Sequence, residues 1–195
     1  MIIYATRQTF DGCKMTDELA AFSESDESDL ARSIRREKAS DLHKWGAKLF
    51  AGEKKPSLLV CNYASKLTLF LFDVKSEDIK SLAGKILTGI FELYKDDAVL
   101  LDAVNKMYGE KPATFVSRIT DKRIISTLNR VQTTFINKPD FPAAYKENGT
   151  INMTKLNNAF NLNFLVSDRI NGKTEYIFPT ERFRELVLAE YGTPR

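Results

Sequence analysis

Residue types that could support catalysis are scarce in this chain, and its single histidine, His43, is the first to consider. His43 lies in the stretch DLHKWGAKLF, residues 41–50, beside the only tryptophan, Trp45. The pKa of histidine suits proton transfer near neutral pH, so His43 could act as an acid or base together with Asp41 or Asp121. The apolar residues that follow it favour a structural role instead, with Trp45 anchoring a strand. We therefore predict a junction between a helix and a strand here.

Other catalytic and ligand-binding motifs are absent or incomplete. A single histidine excludes paired-histidine metal sites and argues against a zinc centre. The glycine-rich phosphate-binding patterns and the G-x-S-x-G nucleophile pattern do not occur. Cys13 and Cys61 lack metal-ligand spacing, which favours two free thiols in a reducing compartment. We predict neither a bound metal nor a cofactor.

The most distinctive surface is the polar face of a helix predicted over residues 121–137. From Lys122 to Pro139 the chain contains no acidic residue. At about 100° per residue, basic and polar side chains gather opposite an apolar stripe, and these residue types contact phosphates and base edges. The alternative is a solvated face that lacks acids. The candidate binding residues are Arg118, Lys122, Arg123, Asn129, Arg130 and Thr133.

A second charged feature is the acidic tract within residues 16–30. Its sequence, SESDESD over 23–29, has few apolar anchors and predicts a solvated, mobile segment. Four of its side chains are candidates for a partner-facing surface: Glu24, Asp26, Glu27 and Asp29. The basic residues that follow complete the favourable charge order for a helix within 26–39.

Strand and helix patterns interleave along the chain, yet the strand pairs read as hairpins. SLLVCNY and KLTLFLFDV are separated by a short turn, and Asn171-Gly172 joins two further strands. Amphipathic helices are predicted near residues 76–95, 96–109 and 179–192. The expected fold class is α+β, with an antiparallel sheet built from hairpins and packed by several amphipathic helices, in a single domain over residues 1–195.

Composition limits the class of protein. The chain has 195 residues, 43% of them hydrophobic and 28% charged, which is typical of a globular domain. A net charge of +3 does not by itself indicate nucleic acid. The sequence contains neither an apolar segment of membrane-spanning length nor a signal-peptide pattern. We expect a cytoplasmic protein that does not contact membranes.

Four segments carry a resemblance to a known family: WGAKLF, NYASKLTLFLFDV, SRITDKRIISTLNRVQTTF and GKTEYIFPTERFRELVLAEYG. They resemble an uncharacterised family of bacterial proteins, found also on mobile elements, whose domain has no assigned function. The likeness spans most of the chain and excludes residues 16–40. It implies a bacterial or phage cytoplasmic protein and carries over no active-site residue.

Three hypotheses for function follow. The leading one is a non-enzymatic macromolecule-binding protein with a protein partner, acting as a regulator or as an antagonist of a toxin or host defence system. It rests on the family association and on the absence of catalytic motifs. The second is nucleic-acid binding through helix 121–137. The third is a hydrolase or transferase acting on nucleic acid or nucleotide, with His43, Asp41 or Asp121 moving protons.

Overall fold

The computed structural model describes residues 1–20, 23, 25–51, 56–109, 112–170 and 172–192. The strands are β1 (Ile2–Ala5), β2 (Lys44–Ala51), β3 (Pro56–Asn62), β4 (Thr68–Leu71), β5 (Phe115–Arg118), β6 (Lys146–Glu147), β7 (Thr150–Ile151), β8 (Val166–Ile170) and β9 (Lys173–Ile177). The α-helices are α1 (Arg7–Gly12), α2 (Asp29–Ala39), α3 (Leu82–Leu93), α4 (Ala98–Tyr108), α5 (Lys122–Val131), α6 (Met153–Asn163) and α7 (Pro179–Tyr191).

Five strands form one sheet in the order β4-β3-β2-β1-β5, and helices cover both of its faces. On one face, Trp45, Leu58 and Leu69 belong to a core shared with α3, α4 and α7. On the other face, Leu59 and Phe70 pack with α5 and α6. Because both faces are covered, even the edge strand β4 is buried on both sides.

The pairing of β1 is the feature that the sequence pattern did not predict. The α+β class is confirmed, and so are the hairpins: β2 to β4 are antiparallel neighbours, and β8 pairs antiparallel with β9. However, β1 runs parallel to both β2 and β5, so the sheet is mixed rather than wholly antiparallel. Helices α1 and α2 lie between β1 and β2, and α3 and α4 precede β5. These helices supply the long crossovers that parallel neighbouring strands need.

Local signals account for several helix ends. The Asp97 carboxylate accepts from the Leu100 N–H at 3.1 Å to cap α4, and Gly109 ends that helix with φ 71°. The helix predicted to start at Ser76 instead begins as a 3₁₀ turn, Ser76–Ser81, before α3. The Asp78 carboxylate accepts from the Lys75 N–H at 2.7 Å, which moves the cap to Lys75.

Both edges of the five-stranded sheet are closed by side chains. Asn161 on α6 accepts from the Thr68 N–H at 3.1 Å and donates to the Thr68 carbonyl at 2.7 Å, while Asn157 accepts from the Phe70 N–H at 2.9 Å. At the opposite edge, the Glu18 carboxylate accepts from the Val116 N–H at 2.9 Å. These contacts satisfy the groups that an edge strand otherwise leaves open.

Gly46 on β2 allows α5 to lie close to the sheet. A Cβ atom at this position would overlap Ile124 Cγ2 of α5. We expect Gly46→Ala to lower the free energy of unfolding by about 1–3 kcal/mol through overpacking. Equilibrium urea unfolding measures this change. Gly84→Ala is the matched control: Gly84 is exposed in α3, its added Cβ would meet no atom within 4 Å, and the substitution should stabilise by about 0.5–1 kcal/mol. Equal effects of the two substitutions would contradict the close approach.

Candidate functional site

Helix α5 is fixed on the sheet by its apolar stripe. Ile124, Leu128 and Val131 are buried against β2 and β3, and the carboxylate of Asp121 caps the helix by accepting from the Arg123 N–H at 2.8 Å. The same carboxylate lies 2.8 Å from the Arg123 guanidinium. These hydrogen bonds lower the pKa of Asp121 and raise the pKa of Arg123. Because the apolar stripe of α5 packs against the sheet, the polar face of this helix points away from the sheet, as the sequence predicted.

A groove of about 460 Å³ runs beside this polar face. One wall is α5, and the other combines the β8–β9 hairpin with the turn that follows β3. We call it the basic groove; its lining residues are Lys66, Lys122, Arg123, Ser126, Thr127, Arg130, Ser167, Asp168 and Thr174. Four basic side chains face one acidic side chain, so the groove attracts anions.

The two walls of the basic groove are joined by polar contacts. The Arg130 guanidinium donates to the Ser167 hydroxyl at 3.2 Å. Lys66 is 4% exposed and has a positive φ of 63°; its ammonium donates to the Tyr63 carbonyl at 2.6 Å and lies 3.5 Å from the Asp168 carboxylate. The position of Lys66 is thus fixed by the backbone of the turn and by the hairpin.

An exposed aromatic ring lies on the hairpin wall. Tyr176 is 74% exposed, and it pairs directly with Ser167 in the β8–β9 register. Directly paired residues of an antiparallel ladder project from the same face, so Tyr176 stands on the face that carries Ser167 and its bond to Arg130. The face thus combines a flat apolar ring with cationic side chains.

The predicted binding residues divide into two groups. Lys122, Arg123 and Arg130 lie together in the basic groove. Arg118, Asn129 and Thr133 do not line it. Arg118 lies over the Phe10 ring at 4.7 Å and pairs with Asp11 at 3.6 Å. The Asn129 amide oxygen accepts from Lys48, and the Thr133 hydroxyl donates to the Asn129 carbonyl at 2.8 Å.

The acidic tract largely serves the start of α2. Asp26 accepts from the Ser28 N–H at 2.9 Å, and Asp29 pairs with Arg32. Asp26, Glu27 and Asp29 are all exposed. Glu24, the remaining predicted member, lies outside the described residues. The predicted helix within residues 26–39 is confirmed as α2.

His43 occupies the predicted junction, at the end of a 3₁₀ turn (Asp41–His43) that leads directly into β2. Its side chain is buried with both ring nitrogens engaged: Nδ1 lies 2.7 Å from the Glu37 carboxylate and Nε2 2.8 Å from the Tyr191 hydroxyl. Burial alone would raise the pKa of Glu37, but hydrogen bonds from His43 and the Met1 ammonium group lower it to about 2. This geometry gives a substrate no access to the His43 ring.

Several residues of the basic groove were missed by sequence reasoning. Lys66, Ser167 and Thr174 line the groove, and Tyr176 lies beside it on the hairpin. The sequence identified their segments as a turn and a hairpin. Nothing in their local pattern indicates that they face α5, because that contact depends on how the hairpin packs. Lys66 has a positive φ although it is neither glycine nor asparagine, the residues that usually indicate such a backbone conformation.

The residues that the structure describes include two free thiols but neither a cluster of metal ligands nor a membrane-spanning helix. Among these residues no three His, Cys, Asp or Glu side chains are grouped so as to hold a metal ion. Cys13 and Cys61 are free and buried, and burial raises the pKa of the Cys61 thiol to about 11. Within the same ranges no helix has the length and apolarity needed to cross a membrane.

The model of a protein family that is described as a domain of unknown function, DUF6933, matches the chain. The match covers residues 2–182. The chain belongs to this family. The DUF6933 match runs from β1 into α7, so it includes the basic groove and also residues 16–40, which the sequence resemblance left out. Neither the curated proteins nor the solved structures contain a match to the chain.

Proposed function

We propose that this protein is a non-enzymatic binding protein whose basic groove holds a single strand of nucleic acid. The observation that carries the proposal is the convergence of Lys66, Lys122, Arg123 and Arg130 on one groove opposed by Asp168. Side chains of this type neutralise phosphates, and the hydroxyls of Ser126 and Ser167 add hydrogen-bonding groups of the kind that contact the backbone.

Tyr176 favours a single strand over a duplex. Bases stack on exposed aromatic rings only when they are unpaired and turned outward, whereas the bases of a duplex are stacked on one another. A phosphate path through the basic groove would bring unpaired bases towards the exposed Tyr176 ring on the hairpin face. A cationic path beside an aromatic platform is the general arrangement of single-strand binding.

The other two hypotheses have less support from contacts. A protein partner on the acidic tract would have to compete with Ser28 and Arg32 for the carboxylates of Asp26 and Asp29. A hydrolase or transferase that uses His43 would need access to a ring that is 2% exposed. We therefore propose nucleic acid as the macromolecular partner of the basic groove.

We further propose a setting for this binding protein. Its cellular place would be the cytoplasm of a bacterium or of a phage-infected cell, where it would act as a regulator or as an antagonist of a toxin or host defence system. The family resemblance supports a bacterial or phage source, and the two free buried thiols of Cys13 and Cys61 suit a reducing compartment.

Binding to a fluorescent oligothymidine is expected to weaken steeply with salt. Lys66 is buried and paired with Asp168, so three exposed basic side chains, Lys122, Arg123 and Arg130, remain to contact phosphates. The slope of log K against log salt concentration should therefore be about −2 for a single strand. Arg123→Glu with Arg130→Glu should bring this slope to about −1. Tyr176→Ser should weaken binding about tenfold and leave the slope unchanged, since stacking is not ionic. Fluorescence anisotropy measures all three quantities.

The matched control combines Arg7→Glu with Arg32→Glu, which changes net charge equally on exposed surfaces of α1 and α2. This variant should keep the steep slope. A flat salt response, equal losses in both double variants or equal affinity for duplex DNA would overturn the single-strand proposal. Affinity capture from host lysate with and without nuclease then separates the alternatives: a protein retained after nuclease treatment would return the protein-partner hypothesis to first place.

A further inference from the structure

The β8–β9 hairpin has an open edge along β9. The side chains that join the hairpin to α5 and to the turn after β3 belong to β8: the Ser167 hydroxyl accepts from Arg130 at 3.2 Å, and the Asp168 carboxylate lies 3.5 Å from the Lys66 ammonium. Strand β9 is exposed over residues 173–176, and among the described residues it pairs with β8 alone. A two-stranded hairpin is only marginally stable in water, so a further strand on this edge would stabilise it.

The register of the hairpin shows which backbone groups of β9 point outwards. Ile170 and Lys173 pair directly and are separated by only two residues, so this pair closes the ladder with hydrogen bonds in both directions. Hydrogen-bonded and non-hydrogen-bonded pairs alternate along an antiparallel ladder. Thr174 and Tyr176 therefore belong to non-hydrogen-bonded pairs. Their N–H and carbonyl groups point away from β8, to the open edge.

We propose that this edge pairs with the same edge of a second copy of the chain, so that two hairpins form one four-stranded antiparallel sheet. In a two-fold symmetric contact, residue i meets residue j and j meets i. A two-fold axis at Thr174 sets the outward backbone groups of Thr174 against those of Thr174 in the second copy. The same axis places Lys173 of each copy opposite Glu175 of the other. Both side chains are exposed, so two pairs of opposite charge form across the contact.

Charge selects this register over its neighbour. An axis at Glu175 would also pair the outward backbone groups, but it would set the two Glu175 carboxylates directly opposite each other, which is destabilising. The axis at Thr174 also brings the Tyr176 ring, which is 74% exposed, beside Gly172 of the second copy. A Cβ atom at Gly172 would meet no atom within 4 Å, so there is room for the ring. An aromatic ring that covers a glycine at a sheet edge stabilises strand pairing.

The dimer is weak because its interface is small. Interfaces that bury less than about 1,200 Å² in total belong to weak and transient complexes. Two short paired strands make a contact of this class, so we expect a Kd of about 10–100 μM. Since Tyr176 takes part in both proposals, dimerisation is measured without nucleic acid, and oligothymidine binding is measured well below this Kd, where the chain is a monomer. Either proposal can then fail without the other.

Sedimentation velocity of the full chain should show exchange between monomer and dimer that depends on concentration. Lys173→Glu and Glu175→Lys should each weaken the dimer roughly tenfold, because each sets like charges opposite one another in both symmetric pairs. The double variant that carries both substitutions should dimerise as the parent does. An equimolar mixture of the two single variants should form a heterodimer, since the glutamates of one then face the lysines of the other.

Two further variants test charge and backbone separately. Lys95→Glu, at an exposed position in the turn between α3 and α4, changes the net charge as Lys173→Glu does and should dimerise as the parent does. Thr174→Pro removes an outward N–H without removing a hydrogen bond to β8, so the hairpin is retained and the dimer should be lost. A chain that stays monomeric well above the expected Kd would overturn the inference. So would parent-like dimerisation of Thr174→Pro or of the single charge variants, or a mixture of those variants that forms no heterodimer.

Discussion

Replacing Glu37 by Gln is expected to lower the free energy of unfolding by about 3–5 kcal/mol, the cost of breaking a buried ion pair from one side. The Glu37 carboxylate is 2.8 Å from the Met1 ammonium group and 2.7 Å from His43 Nδ1. Met1 is fully buried, so Gln at position 37 would leave its charge in the core without a counter-charge. Equilibrium urea unfolding at neutral pH, followed by the fluorescence of the single tryptophan, measures the loss.

The same carboxylate should make stability depend on acid pH. The folded-state pKa of Glu37 is lowered from 4.5 to about 2, so folding favours the ionised form. Its contribution is therefore complete above pH 4.5 and is lost as the pH falls towards 2. Urea unfolding between these pH values should show a smaller pH slope in Glu37→Gln than in the parent.

Glu190→Gln is the control for both measurements. The Glu190 carboxylate accepts from the Ser40 hydroxyl at 3.1 Å in an exposed contact, and its loss should change stability by less than about 0.5 kcal/mol. If Glu37→Gln cost no more than this control, or left the pH slope unchanged, the buried carboxylate would have no special role in stability.

Asn161→Leu is expected to lower the free energy of unfolding by about 2–6 kcal/mol. The Asn161 side chain is fully buried and satisfies both the N–H and the carbonyl of Thr68 on β4. Leucine has the same branched shape as asparagine, although it is larger, and it leaves both backbone groups buried without partners, each at a cost of about 1–3 kcal/mol. Urea unfolding gives the total, and hydrogen exchange at the Thr68 amide should accelerate.

Asn163→Leu, two positions further along α6, provides the matched comparison. Asn163 is exposed, and its amide donates to the Ala159 carbonyl within the helix at 3.0 Å. Its replacement should change stability by less than about 0.5 kcal/mol. Similar losses in the two variants would indicate that helix α6 itself, rather than the closed edge of β4, is sensitive to leucine.

The sequence predicted the elements better than their arrangement. Apolar periodicity identifies α3, α4, α5 and α7, and the Asn-Gly pair identifies the last hairpin, because these signals act between residues that are near in sequence. The parallel pairing of β1 has no such signal. It depends on crossovers through helices and on which strands those helices bring together.

Only part of the basic groove could be predicted, because sequence patterns relate residues that are near one another in the chain. Lys122, Arg123 and Arg130 share one helix face, so helical geometry alone groups them. Lys66 and Tyr176 approach that face only through tertiary packing. Conversely, Arg118 and Asn129 are residue types that can bind nucleic acid, but each contacts a side chain of a neighbouring element. Arg118 pairs with Asp11, and Asn129 accepts from Lys48. Residue type and spacing cannot reveal such competition between partners.

The place of β1 between β2 and β5 has a consequence for synthesis of the protein on the ribosome. The pairing of Ile2 and Ile3 with Phe115 and Val116 needs a segment made more than a hundred residues later. In a nascent chain that ends before β5, one side of β1 is therefore unpaired. During this delay apolar residues and a hydrogen-bonding strand edge are exposed, so we expect chaperones that bind unpaired strands to bind the nascent chain at β1.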